Sequence, residues 1–174
     1  MTDYIKIAIA GDGGVGKTTF LNTLIKDKYN EATPLTVGID LYIKDIKAEN
    51  KDFTLQIWDL GGQERFKSLH ERCSAYIQGI KGGIFMFDLT RITSLESIGF
   101  WIEIIRRQGD NIPILLVGSK YDLYDKNGID KELILSLKQE FNMLDYLEIS
   151  SKTKHNLDNV FEIILKAIIS NNSK

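Results

Sequence analysis

The 174-residue chain has one cysteine, Cys73, and two histidines, His70 and His155. A lone thiol excludes an intramolecular disulfide and a cysteine zinc cluster, and it points to a reducing, cytosolic setting. The histidines have no partner spacing for a metal site and read as surface or loop residues. Long apolar runs are missing too. No stretch approaches the ~20 residues of a membrane span, and the opening MTDYIK lacks the hydrophobic region of a signal peptide. The final residues, Asn171-Asn172-Ser173-Lys174, offer no prenylation cysteine, so the expectation is a cytoplasmic chain without its own lipid anchor. Any membrane association would then come through partners or a C-terminal tail. An excess of positive charge is likewise absent. With a net charge of −2 and a pI near 5.7, there is no basic field to suggest nucleic acid as a partner. No low-complexity linker or repeat divides the chain. What is there, 43% apolar and 26% charged residues, fits one soluble globular domain over 1–174, long enough to bury a full core.

Residues 11 to 18 read GDGGVGKT, a G-x-x-x-x-G-K-[ST] loop between the apolar run Tyr4 to Ala10 and the helix-like stretch Thr19 to Lys26. A strand, a glycine turn and a helix start place consecutive backbone N–H groups, from Gly13, Gly14, Val15 and Gly16 through Lys17, Thr18 and Thr19, around one anionic group. The helix dipole adds positive potential there. Nucleotide phosphate is the expected guest, with Lys17 reaching the β and γ phosphates and the Thr18 hydroxyl on Mg²⁺. Gly11, Gly13 and Gly16 also satisfy G-x-G-x-x-G, the dinucleotide fingerprint of Rossmann domains. A Rossmann helix, however, has no need for a cation and a metal-ligating hydroxyl at Lys17 and Thr18.

Apolar runs alternate with helical patterns along the rest of the chain, which predicts an α/β fold. Ile39, Leu41 and Ile43 alternate with polar neighbours, as do Phe53, Leu55 and Ile57, with a turn at Ala48 to Lys51; this reads as a hairpin at one sheet edge. Ile84 to Phe87 and Ile114 to Val117 are continuous, as in parallel strands buried on both faces. Thr93 and Glu96 read as a capping box ahead of the stripe Ile98, Trp101, Ile102 and Ile105. Asn156 precedes a second stripe, Leu157, Val160, Phe161, Ile164, Leu165 and Ile168. Ligands in such sheets bind at the carboxyl ends of the strands, so chemistry is expected in the loops after Ala10, Trp58, Phe87, Val117 and Ile149.

The loop WDLGGQERF, Trp58 to Phe66, offers Asp59 to hold Mg²⁺ through water and Gly61 and Gly62 to bring backbone to a γ phosphate. The Gln63 amide there could orient an attacking water as both acceptor and donor. In Gly118-Ser119-Lys120-Tyr121-Asp122, a carboxylate two residues past a lysine can accept the N1–H and exocyclic N–H₂ of guanine while the lysine stem covers the base. Adenine has no such donor pair on that edge. After Ile149, the run Ser150-Ser151-Lys152 could present a backbone N–H to the guanine O6. Lys152 is expected mainly to support this loop. Arg65 and Arg72 read as a solvated helix face, and no internal arginine finger is visible.

With these motifs in this order, the chain resembles a Ras-superfamily small GTPase, Rab-like in its switch sequences TVGID (Thr36 to Asp40) and QIWDLGGQERF (Gln56 to Phe66). The resemblance covers Tyr4 to about Ile169. It implies a P-loop NTPase fold, with a six-stranded, mostly parallel sheet, one antiparallel edge and five helices on both faces. It also implies Mg²⁺-dependent GTP binding, slow hydrolysis to GDP, and partners of three kinds: an exchange factor, a GTPase-activating protein and effectors. By the same resemblance Thr36 joins the Mg²⁺ shell and γ phosphate in the GTP form, Tyr29 leans over the guanine, Gln63 positions water, and the Ser151 amide meets O6. Four positions depart from the family. Ser119 stands where most members have asparagine, which implies fewer bracing bonds to the phosphate loop and weaker guanine binding, although a hydroxyl serves at this place in the Rho branch. Leu60-Gly61 replaces the usual Thr-Ala, and Thr33 replaces a frequent tyrosine. A nucleotide-locked interaction module and an ATP-using P-loop enzyme remain as alternatives to a cycling switch; Lys120 with Asp122 speaks against the second.

Overall fold

The computed structural model describes residues 3–31, 33–34, 38–61, 76–125 and 129–172. Its elements in chain order are β1 (Asp3–Ala10), α1 (Lys17–Lys26), β2 (Ile39–Ala48), β3 (Lys51–Leu60), β4 (Gly82–Asp88), α2 (Ile98–Arg106), β5 (Ile114–Ser119), α3 (Lys131–Glu140), β6 (Tyr146–Glu148) and α4 (Leu157–Asn172). They form a six-stranded sheet in the order β2-β3-β1-β4-β5-β6. Only the β2/β3 pair is antiparallel. Four α-helices lie among the described residues, one fewer than the resemblance implied.

The period of a strand explains why helices cover both faces. Ile5, Ile7 and Ile9 of β1 pack into one core with Phe20 and Leu21 of α1 and the stripe of α4. Ala8 and Ala10, on the alternate positions, pack into a second core with Trp101, Ile102 and Ile105 of α2 and Ile134 of α3. β4 and β5 split the same way: Ile84, Met86, Leu115 and Val117 face the first core, Phe85, Phe87, Ile114 and Leu116 the second. Both predicted helix stripes are buried at every position named for them.

The β2/β3 hairpin turns through Glu49 and Asn50, both with positive φ (49° and 62°), as the twist-matched two-residue turn requires. Its edge position is as expected, but the faces differ from the simple alternation. Leu41 and Ile43 are exposed, and Tyr42 and the partly buried Ile46 cover the core instead. The register explains this, because Tyr42 pairs with the buried Ile57 and Ile46 with Phe53. The capping box also fails. Thr93 lies inside a short 3₁₀ turn, Ile92–Leu95, and its carbonyl rather than its hydroxyl takes the Glu96 N–H (3.2 Å), while α2 starts after Ser97 with no side-chain cap. The neighbouring Ser94 Oγ meets the Arg91 carbonyl at 2.6 Å and accepts the Asp88 N–H at 2.9 Å, and this tightens the turn that displaces the helix start.

β1 lies where chain order reverses, with β3 on one side and β4 on the other, which is where a crevice opens at the carboxyl ends of such a sheet. Gly11 leaves β1 at that point with φ 141°, and a Cβ there would lie 2.0 Å from the Met86 carbonyl oxygen. Only glycine lets β1 pass the β4 backbone and enter the loop.

Candidate functional site

A cleft of about 270 Å³ opens at the carboxyl ends of β1, β5 and β6, with the N-terminus of α1 in its lining. Gly16 has φ 100°, a left-handed conformation that turns the chain into α1, and no side chain caps the helix there. The first-turn N–H groups therefore remain available to an anion. Gly13, Gly14, Val15 and Gly16 line this end with Lys17, Thr18 and Thr19. Lys17 is 5% exposed, and its Nζ donates to the carbonyls of Gly11 (2.7 Å) and Asp12 (3.0 Å). Burial lowers its pKa to about 8, against the opposing pull of Asp59 and Asp12, while the positive charge of Arg91 lowers it further. A buried ammonium held by loop carbonyls is a charge awaiting an anion.

The Thr18 hydroxyl donates to Asp59 Oδ2 at 2.5 Å. Asp59 is fully buried at the end of β3, beside Ile9 of β1. A hydroxyl and a carboxylate in contact are hard oxygen donors that fit Mg²⁺. Among the described residues no three His, Cys, Asp or Glu side chains gather as a metal cage. A cation here would draw further ligands from beyond these two side chains, water and phosphate among them, as Mg²⁺ does.

At the other end, Ser119, Lys120, Asp122, Ser151 and Lys152 line the cleft, and Tyr29 is also part of its lining. Ser119 is 4% exposed, and its Oγ lies 2.5 Å from the Val15 carbonyl and 2.9 Å from that of Phe87, sharing one proton between them. The short hydroxyl therefore does reach the phosphate loop. Ser150 is fully buried and stands behind the cleft wall. Its Oγ donates to Asp122 Oδ1 at 2.6 Å and accepts the Thr153 N–H, so that it orients the carboxylate without facing the cleft itself. His155 stacks on Tyr121 with ring centroids 4.9 Å apart, and its carbonyl accepts the Ser150 N–H. Thr33 lines the cleft and donates to the Asn30 carbonyl. Thr36, Gly62, Gln63, Arg65, His70, Arg72 and Cys73 lie outside the described residues.

Among known proteins, the family model described as "Ras family" matches residues 6–170. The chain belongs to the Ras family. This Ras-family chain is Rab-like. It is 34% identical to Ras-related protein Rab-19 of Rattus norvegicus over 173 residues, which are 98% of this chain and 78% of that protein. GTP-binding protein ypt3 of Schizosaccharomyces pombe is 33% identical over 176 residues, covering 98% and 80%. GTP-binding protein YPTM1 of Zea mays is 35% identical over 168 residues, covering 95% and 79%. The sheet and helices are those of the P-loop GTPase fold, and as a Ras-family protein the chain is a small GTPase that hydrolyses GTP.

Two residues of this Ras-family site escaped the sequence reading, and both follow Phe87, one ending β4 and one in the loop beyond it, a place the strand pattern had singled out without naming a residue. Asp88 is buried, and its Oδ2 accepts from Lys120 Nζ at 2.6 Å while Oδ1 accepts from the Thr90 N–H and hydroxyl. Burial alone would raise the carboxyl pKa; the bonds from Lys120 and Thr90 prevail and hold it below the usual range. Asp88 thereby fixes the lysine on the base side. Arg91 Nη2 donates to the Gly13 carbonyl at 2.8 Å. The run Asp88-Leu89-Thr90-Arg91 is the only trace either contact leaves in the sequence, and no local spacing relates it to Gly13 or Lys120.

Proposed function

We propose that this cleft binds GTP and GDP with Mg²⁺, and that the chain, as one G domain over 1–174, cycles between the two as a molecular switch. The observation that carries the reading is one cleft with two chemically distinct ends. A phosphate loop with a buried ammonium forms one, and a serine-oriented carboxylate beside a pinned lysine forms the other. The amides of Gly13 to Thr19 would receive the phosphates, with Lys17 against the β and γ oxygens. Asp122 would accept both donors of the guanine edge, Lys120 and Tyr29 would cover the base faces, and the Ser151 amide, supported by Lys152, would meet O6. Thr18, Thr36 and, through water, Asp59 would hold the metal, whose contribution when bound is positive charge against the β- and γ-phosphate oxygens.

Hydrolysis needs no covalent intermediate. A water held in line by the Gln63 amide attacks the γ phosphorus and gives up a proton to a γ-phosphate oxygen, the bond to the β–γ bridging oxygen breaks, and Lys17 stabilises the charge that passes to GDP. Intrinsic turnover on the order of 10⁻⁴ to 10⁻² s⁻¹ is expected, rising about 10³- to 10⁵-fold with a partner that supplies an arginine. Loss of the γ phosphate would release Thr36 and the Gly62 loop, so residues near 29–40 and 59–72 would present different surfaces to an exchange factor, an activating protein and effectors in the two states.

The test is chromatography of the nucleotide released from heat-denatured protein, followed by calorimetry of stripped protein with GDP and with ADP in Mg²⁺ buffer. Guanine nucleotide in the extract and saturable binding of GDP alone are the expected results. Adenine nucleotide, or no heat with GDP, would overturn the assignment. Matching trypsin patterns with GDP and a non-hydrolysable GTP analogue would leave a binding module rather than a switch.

A further inference from the structure

Gly13 and Gly14 are two consecutive residues of the phosphate loop with no side chain to hold them, and Gly14 sits at φ 77°. The structure supplies a restraint from outside. Arg91, 78 residues away in sequence, donates from Nη2 to the Gly13 carbonyl at 2.8 Å and does not line the cleft. In a trans peptide the C=O and the following N–H point in opposite directions. Holding the Gly13 oxygen therefore sets the Gly14 N–H toward the side away from Arg91.

The backbone of Arg91 is firmly placed, while its side chain lies exposed over the loop. Its N–H donates to the Asp88 carbonyl (2.9 Å), and its carbonyl accepts from the Ser94 N–H (3.0 Å) and hydroxyl (2.6 Å). Ser94 is fully buried and accepts the Asp88 N–H. Asp88 in turn binds Lys120. The segment 88–94 thus grips both ends of the cleft, Lys120 through Asp88 and the phosphate loop through Arg91.

Accepting the nucleotide cleft described above, we infer that Arg91 is a positioning residue for the phosphate loop, which by clamping the Gly13 carbonyl orients the Gly14 amide and slows the release of nucleoside di- and triphosphates alike. Its charge is felt in the cleft as well, since it lowers the affinity of Lys17 for a proton. A guanidinium suits the task because a charge-assisted donor on a planar fork fixes direction, whereas an ammonium is a point charge on a flexible stem.

The experiment measures release of fluorescent GDP and of a fluorescent non-hydrolysable GTP analogue from the full chain. The wild type, Arg91→Ala, Arg91→Lys and the control Lys17→Ala are compared, together with the melting temperature of each nucleotide-free protein. Arg91→Ala should release both nucleotides about three- to fivefold faster, the worth of one charge-assisted hydrogen bond in contact with solvent. Arg91→Lys should fall between it and the wild type, nucleotide-free melting should be unmoved, and added salt should accelerate the wild type more than Arg91→Ala. Release from Arg91→Ala within about twofold of wild type, the range of an inert surface substitution, would overturn the role of Arg91 while Lys17→Ala, by losing nucleotide, upheld the cleft. A faster release matched by lower nucleotide-free melting and not rescued by lysine would reduce Arg91 to a structural support. If the wild type itself retains neither nucleotide, the cleft assignment falls and this inference with it.

Discussion

Ser119→Ala isolates the one side chain that ties the base-side strand to the phosphate loop. The hydroxyl is 4% exposed and stands 2.5 Å from the Val15 carbonyl and 2.9 Å from the Phe87 carbonyl. It has a single proton shared between the two carbonyls, so its deletion removes one buried hydrogen bond. That loss costs about 1–3 kcal/mol where the acceptor is left without another partner. Val15 forms part of the cleft lining, so part of the loss should appear as poorer placement of the loop. At 1.4 kcal/mol per factor of ten, GDP should leave about five- to tenfold faster. The remainder should appear as stability, and for a chain of this size about 1 kcal/mol corresponds to a fall of about 2–4 °C in Tm. Stopped-flow displacement of fluorescent GDP reads the first effect, and a melting curve of the nucleotide-free protein reads the second. Ser119→Thr, which keeps the hydroxyl, is the control and should restore most of the release rate. Unchanged release and unchanged melting in Ser119→Ala would show that the hydroxyl braces nothing.

Three further outcomes are expected. Gln63→Leu should bind GTP as the wild type does but stop single-turnover hydrolysis, and turnover at the wild-type rate would remove the amide from the mechanism. Because burial brings Lys17 to a pKa of about 8, the nucleotide-free protein holds its ammonium below that pH and gives it up above. Phosphate needs the charge, so the Kd for GDP should be flat below pH 8 and weaken about tenfold per pH unit above it, with one proton taken up on binding. At this group the nucleotide-free fold should gain stability over the same alkaline range, since the unfolded chain still holds the proton there; calorimetry in buffers of different ionisation heat checks the uptake, and a constant Kd to high pH would contradict it. Gly11→Ala would bring a Cβ 2.0 Å from the Met86 oxygen at φ 141°, so a loss of more than about 4 kcal/mol is expected; a soluble variant melting like the wild type would refute the close approach.

Much of the architecture was legible residue by residue. The run Tyr4 to Ala10 forms the strand expected ahead of the glycine loop, and the 3.6-residue stripes of α2 and α4 are buried as written. The capping box at Thr93 and Glu96 misled because the motif is local, and the local turn is governed by Ser94, whose bonds run back to Asp88 and Arg91. At the hairpin, alternation was visible but not its facing; the pairing of Tyr42 with Ile57 decided that Leu41 and Ile43 would point outward.

By itself the sequence determined the periods of the strands and helices, the turn within Ala48 to Lys51, the glycine loop and the chemical types gathered after each strand. All of these depend on neighbours a few residues apart, through sterics and side-chain direction. Only the tertiary structure decided which distant groups meet. Ser119 reaches Val15 across 104 positions and Arg91 reaches Gly13 across 78, while Ser150 turns Asp122 and Asp88 holds Lys120. Such contacts arise where the ends of parallel strands are laid side by side, and their partners are set by sheet order and register, which no spacing along the chain encodes.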